Sequence, residues 1–525
     1  MLQAVKLRAG SADAAGVPRL HHAPRPVPTL VAALLLAAVS STPAAALTPP
    51  RATSTPATST PSSISATAPA DGTLRGVLER LAVEAPTGPQ GHPDRSGEIT
   101  TWLHTADVRI RIAPDAVTGV PTGSRVAVRL GPATGAVRAV RSVEVLPGGS
   151  VRALPPTAGA GTPHTVTAVL ALPAGASPDA MTAAHLSSAI TVGASGFWSR
   201  NSGGRITFGV ARSTGWLHLQ HTCSDVWGLW DEARQRTGFV PGPRRHLVLY
   251  VPPGAGCPSG LGTVAASADA GGYVVVGGIS TGLVAHELGH NLGLGHSDAL
   301  TCAGAADGIF VEQWPATCSH DDYGDWYDVM GISWDNLGTL STAHAYRLGL
   351  LGTGSVLSVS GPARAVLRPV SANSGLRSLR VTDPEGGVYV VEYRPAVGAD
   401  AWLDTAADWR GLRAGVLVRR VDPQDPTRTL LLDASPVGSS GTATTAPAAD
   451  WDRPLLPGQE LRTASGRVTI RVESQVPGAA TVVVDLDGVS PAVVLEPRGR
   501  LAGGSEVTIG DALSAWAAGA VRPPR

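Results

Sequence analysis

The chain has 525 residues, enough for two or three domains with cores of their own. Its 41 Lys and Arg balance 41 Asp and Glu, so no net field argues for nucleic acid or a membrane surface as partner. The four cysteines, Cys223, Cys257, Cys302 and Cys318, include no C-x-x-C pair, which argues against a thiolate metal site. An even number in an exported chain suggests two disulfides, and pairing of chain neighbours (Cys223–Cys257, Cys302–Cys318) is favoured over free buried thiols.

Leu30 to Val39 reads LVAALLLAAV, behind Arg19 and Arg25 and ahead of Ala44, Ala45 and Ala46. A basic flank, a short apolar run and a small-residue site form a secretory signal, so residues 1–46 are expected to be removed on export. The mature protein is then secreted, with cell-surface association open and no stable membrane span. Residues 47–75, rich in Pro, Ser, Thr and Ala, read as a disordered linker. Within 76–162, VRIRIAP (Val108–Pro114) and RVAVRL (Arg125–Leu130) alternate as half-buried strands do. This small β-rich unit is either a propeptide or an accessory domain.

Residues 163–352 alternate strand and helix signals. TVTAVLAL (Thr165–Leu172), HLVLYV (His246–Val251) and YVVV (Tyr273–Val276) read as strands. Leu186, Ile190 and Phe197 are spaced as on a helix. Ser224 or Asp225 can cap another helix that Gly238 stops. Such alternation predicts an α/β layer arrangement.

A further helix carries TGLVAHELGHNLGLGHSD, Thr281 to Asp298. Four residues apart, His286 and His290 lie on one helical face, about 6 Å apart along the axis, which suits two ligands of one tetrahedral zinc ion. Gly293 can take a positive φ and turn the chain back, so that His296 supplies a third ligand. Three neutral imidazoles leave one open position, the arrangement of a catalytic site. Glu287, beside the first ligand, can act as general base on zinc-bound water and then protonate the leaving amine.

From about Ser355 short β-like runs follow: YVVEYR (Tyr389–Arg394), GVLVRRV (Gly415–Val421), TLLLD (Thr429–Asp433), VTIRVES (Val468–Ser474) and TVVVDLD (Thr481–Asp487). Residues 353–488 are therefore expected to form an antiparallel, sandwich-like β domain, before a tail over 489–525.

HELGHNLGLGH, His286 to His296, resembles the signature of the metzincin zinc peptidases. YGDWYDVMG, Tyr323 to Gly331, resembles their methionine turn, with Met330 beneath the metal, 34 residues beyond His296. Within that clan the likeness is greatest to the gametolysin-like branch and its bacterial relatives, then to reprolysins. It implies an α/β catalytic domain, a twisted and mostly parallel sheet plus helices, flanked here by the β-rich N-terminal unit and the C-terminal antiparallel β domain. It also implies a secreted zinc metalloendopeptidase acting on protein or peptide substrates. A silent metzincin-like adhesion protein and a zinc hydrolase of cell-wall peptide amides stay open as alternatives.

Two departures stand out. Ile332 occupies the place where some members carry a metal-directed tyrosine, and no cysteine precedes Cys223, which excludes a cysteine-switch propeptide. Tyr273–Val276 is expected to pair with an extended substrate. Asp321, Asp322, Asp325, Asp328 and Asp335 could bind calcium, though a solvated acidic loop is the simpler reading, with Asp328 alternatively bracing the turn. His320 and His344 read as surface or packing histidines.

Overall fold

The computed structural model describes residues 72–84, 98–147, 163–436 (apart from 312, 334, 335 and 409) and 452–491. The signal, most of the linker, Asp335 and nearly all of the tail lie outside the described residues.

Five strands come first: β1 (Thr73–Val83), β2 (Glu98–His104), β3 (Arg109–Ile112), β4 (Arg125–Thr134) and β5 (Val137–Val145). Each pairs with two others in the order β1-β2-β3-β5-β4-β1, closing a barrel. Its alternating residues turn Leu78, Leu103, Ile112, Val126 and Val128 inward. The first strand begins at Thr73, inside the stretch read as linker.

The next region supplies β6 (His164–Leu172), α1 (Ala183–Ser188), α2 (Ser195–Ser202), β7 (Phe208–His218), α3 (Val226–Thr237), β8 (Arg245–Tyr250), β9 (Gly260–Val264), β10 (Gly272–Val276) and α4 (Thr281–Asn291). A π-helical turn, Ala189–Ala194, joins α1 to α2. The helix α3 is capped as the sequence suggested, Asp225 accepting from the Gly228 amide and Gly238 adopting φ 67°. The strands lie in the order β1-β9-β10-β8-β6-β7. Pairing is parallel from β10 through β8 and β6 to β7, and antiparallel where β9 meets β10 and β1. Apolar runs here are buried on both faces. Val166, Ala168, Leu170, Val248, Tyr250, Val274 and Val276 face α1, α2 and α4. Their neighbours Val169, Ala171, Leu247, Leu249 and Val275 face α3.

Beyond α4 come β11 (Ser297–Cys302), β12 (Cys318–Asp321), α5 (Thr342–Arg347), β13 (Val356–Val359), β14 (Ala363–Leu367), β15 (Ser378–Thr382), β16 (Val388–Arg394), β17 (Gly415–Val421), β18 (Thr429–Leu432), β19 (Glu460–Arg462), β20 (Val468–Val476) and β21 (Ala479–Leu486). They form a seven-stranded sheet, β12-β11-β18-β17-β16-β15-β13, and a four-stranded one, β14-β21-β20-β19, over one shared core. Two pairings, β11 with β18 and β13 with β15, are parallel.

The expected fold class, an α/β metzincin-like domain with a mostly parallel sheet plus helices between two separate β units, does not hold. Strand outweighs helix more than twofold. A closed β-barrel is built onto the same sheet through β1, and the longest helix among the described residues, α3, has 12 residues. The boundaries at 162/163 and 352/353 are crossed by strand pairing, β1 with β9 and β11 with β18. Local periodicity identified the elements but could not say which strand of one segment would pair with an edge of another. Both disulfides form as expected, Cys223–Cys257 and Cys302–Cys318, the second tying β11 to β12. No helix among the described residues is long and apolar enough to cross a membrane.

Candidate metal centre

Ser280 opens α4, its hydroxyl accepting from the Leu283 amide at 3.2 Å. Residues Gly282 to Asn291 are all buried between the sheet and the turn that carries Met330. Asn291 fastens the helix to the sheet. Its amide nitrogen donates to the carbonyls of Thr263 and Tyr273 at 2.9 and 3.2 Å, and its oxygen meets His246 Nδ1 at 3.0 Å. The helix stops at Leu292, and Gly293 takes φ 96° as the motif required, a conformation that side chains strain to adopt. The chain then folds back and presents His296.

This local geometry brings three imidazoles together. The Nδ1 atoms of His286 and His290 lie 2.8 Å from the carbonyls of Val329 and Leu294. A proton on each Nδ1 leaves Nε2 as a lone-pair donor. His286 Nε2 is 3.1 Å from His290 Nε2, and all three histidines are fully buried.

A fourth group was not anticipated. Glu84, one residue beyond β1, directs Oε1 to within 3.3, 3.5 and 3.2 Å of Nε2 of His286, His290 and His296. Zinc–ligand bonds of about 2.0–2.1 Å give a tetrahedron with edges of about 3.3 Å. The four separations measured here are edges of that size, so the donor set Glu84, His286, His290 and His296 fits a small tetrahedral cation. Burial raises the Glu84 pKa, but the charges and hydrogen bonds of the imidazoles override it and hold the carboxyl well below its usual range.

Glu287 lies beside this cluster. Neither carboxylate oxygen has a hydrogen-bond partner, and burial, reinforced by the charge on Glu84, pushes its pKa well above the ordinary value. Gly260 on β9 makes room for both acids. A Cβ there would collide with Glu287 Oε1 and come within 2.9 Å of Glu84 Cγ.

Met330 is fully buried, in the core that packs against α4. Its sulfur fills the space above Gly289, where an added Cβ would collide with it. Asp328 braces this turn, accepting from the amides of Met330 (2.8 Å) and Ser341 (2.9 Å) and facing His344 Nδ1 at 3.1 Å. His344 is thus a packing histidine, buried against an acid.

The acidic stretch is not a solvated loop. Asp325 and Asp328 are fully buried. Asp325 accepts from Arg419 Nε at 2.6 Å and from Ser297 Oγ at 2.7 Å. Arg428 bridges Asp298 and Asp322 at 2.5 and 2.6 Å, and His320 joins Asp298 at 3.3 Å. Asp298, His320 and Asp322 lie close enough to share a cation, and Arg428 pairs with both acids. Arg419 also meets Glu392, which Arg394 shares, at 2.8 and 2.9 Å. Strand alternation explains the placement: Val416 and Val418 face the C-terminal core while Arg419 points the other way, into the metal turn.

Tyr323 was also missed. Its ring lies 4.2 Å from that of His296, and its φ of 59° is a left-handed conformation rare for a tyrosine. Burial, with the negative charge of Glu84 beside it, raises the phenol pKa well above its usual value.

The expected substrate strand is corrected. Tyr273–Val276 is β10, enclosed between β8 and β9, and has no free edge. The strand bordering the metal cluster is β9, whose outer edge is taken by β1. No model of a known protein family matches this chain, and no curated protein matches it.

Proposed function

We propose that this chain is a secreted zinc-dependent endopeptidase of metzincin type that hydrolyses internal peptide bonds. The observation that carries the reading is the convergence of three buried imidazole Nε2 atoms beside Glu287, a buried carboxyl group with no hydrogen-bond partner among the described residues. Zinc, when held by His286, His290 and His296, supplies Lewis acidity toward a carbonyl oxygen and makes water acidic enough to attack near neutral pH.

The chain's own groups do the rest. Glu287 takes a proton from the attacking water as its oxygen bonds to the carbonyl carbon, then delivers that proton to the amide nitrogen as the C–N bond breaks. Burial, which raises the Glu287 pKa, favours the protonated form that the second step draws on. The Tyr323 hydroxyl, uncharged at neutral pH, can donate to the oxygen on which negative charge develops. Val329 and Leu294 carbonyls fix the imidazole orientations. Asp325 and Asp328 hold the loop from which His296 and Met330 emerge. Two disulfides accord with an oxidising, extracytoplasmic setting.

The test is digestion of casein or gelatin by the purified protein, before and after limited proteolysis, with and without a chelator. Cleavage abolished by the chelator and restored by zinc is the expected result. Cleavage indifferent to the chelator contradicts the reading.

A further inference from the structure

We propose that the outer wall of the N-terminal barrel, formed by β4, β5 and the first half of β1, is a binding face for a linear anionic polysaccharide. It uses no residue of the metal cluster and does not depend on the peptidase reading.

Strand alternation places four arginines on this wall. Val126 and Val128 of β4 point into the barrel, so their neighbours Arg125 and Arg129 point out. Val77 and Thr73 of β1 stand opposite Arg125 and Arg129, and Arg75, between them, stands opposite Ala127. Arg75 therefore falls midway between the other two, and positive charge recurs about every 7 Å along β4, the rise of two residues. Arg141 of β5 widens the row, since a Cβ added to Gly131 of β4 would meet its Cγ at 3.5 Å. All four are exposed. Arg109 and Arg111 of β3 are paired with Asp231 and Glu98, whereas none of these four guanidinium groups has a partner among the described residues.

Two acids share the wall. Glu144 of β5 stands opposite Ala127, and Glu79 of β1 is already paired with His104 at 3.0 Å. Positive charge therefore exceeds what the wall itself can balance. A groove of about 410 Å³ opens at one end of the row, lined by Arg75, Val77, His104, Thr105, Arg125 and Leu146. Two of the four arginines thus reach into a concave site, where like charges focus the field on an incoming anion. The guanidinium fork matches the paired oxygens of carboxylate, phosphate and sulfate groups.

The same wall selects the partner. Small five-stranded barrels bind oligosaccharides and oligonucleotides on an outer strand face. Here the outer face of β2 and β3 is taken by α3, since Trp102 meets Trp227 edge to face at 6.1 Å and Arg109 meets Asp231 at 2.6 Å. The arginine wall is the face left open. Its strands β1, β4 and β5 contain no aromatic residue, so the bases of a nucleic acid find no stacking platform. A barrel wall is also convex, so a flat bilayer meets few of the four charges at once. A flexible chain follows the row into the groove, held through its repeating sulfate, phosphate or carboxylate groups.

The test titrates full-length protein into fluorescein-labelled dextran sulfate and follows anisotropy. Four engaged charges, at about 0.7 counterion each, should weaken binding about 50-fold between 50 and 200 mM NaCl. The double variants Arg75→Gln/Arg129→Gln and Arg125→Gln/Arg141→Gln should each bind at least tenfold more weakly at the lower salt. Their salt effect should shrink to about 7-fold, as two charges remain. The control Arg200→Gln/Arg462→Gln, which removes two exposed arginines from α2 and β19, should bind as the wild type does. No binding by the wild type, or equal affinity in the wild type and both barrel variants, overturns the proposal. Unsulfated dextran bound as tightly as the sulfated form overturns its basis in charge. A single-stranded oligothymidylate or a phosphatidylglycerol vesicle bound more tightly than dextran sulfate overturns the choice of a polysaccharide as partner.

Discussion

Replacing Arg419 by Met removes the guanidinium that joins the C-terminal sheet to the metal turn while keeping an apolar stem of similar length. The wild-type side chain is almost wholly buried and meets Asp325 at 2.6 Å and Glu392 at 2.8 Å. Breaking one side of a buried ion pair costs about 3–5 kcal/mol, because the partner charge stays buried without compensation. Both acids keep other donors. Asp325 retains Ser297 and the Tyr327 amide, and Glu392 retains Arg394 and Thr342. The lower end, about 3 kcal/mol, is therefore expected. The assay is the urea midpoint of full-length protein beside that of Arg364→Met, whose partner Glu473 and own side chain are about one-third exposed. That control should lose no more than about 1 kcal/mol. Because Asp325 also positions Ser297, next to His296, the Arg419 variant should release zinc to a chelator faster. Equal midpoints for the two variants would refute the claim that the C-terminal sheet braces the metal turn.

Two further outcomes are expected. Tyr323→Phe should retain zinc and lose roughly 100-fold in kcat, the usual cost of removing one oxyanion donor; unchanged kcat in a steady-state peptide assay would remove the phenol from the mechanism. Gly289→Ala should destabilise the protein by about 1–3 kcal/mol, because the added methyl drives into Met330 Sδ and approaches Trp198 to 3.1 Å. Thermal melting reads that loss, and a melting curve matching the wild type would show that the methionine turn packs elsewhere.

Much of the metal centre was legible because its spacing is helical. His286 and His290 share a face by the geometry of one turn, Gly293 adopts the positive φ that lets the chain return, and Met330 follows in order. The long strands were legible from alternation, as in Val166, Ala168 and Leu170 against Val169 and Ala171. What stayed hidden depends on pairing between distant segments. Glu84 lies 212 residues from His296, and no spacing rule links them; only the pairing of β1 with β9 brings them together. The strand β9 itself reads GLGTV, two glycines in five residues, a poor strand signal whose reason is the close approach of Glu287. Nothing in the run GVLVRRV marks Arg419 as buried, yet its side chain reaches Asp325 in the turn that carries Met330. The fold class failed for the same cause, since closure of the barrel and its fusion to the second sheet are properties of register rather than of local composition.

The most direct test of the central claim is Glu287→Ala, with metal content and peptide cleavage measured on the same sample after the limited proteolysis also applied to the wild type. One zinc per chain and loss of nearly all turnover is the expected result, since His286, His290 and His296 remain while the proton acceptor is gone. Cleavage at the rate of the wild type treated alike, or a wild type that cleaves without bound metal, would contradict it.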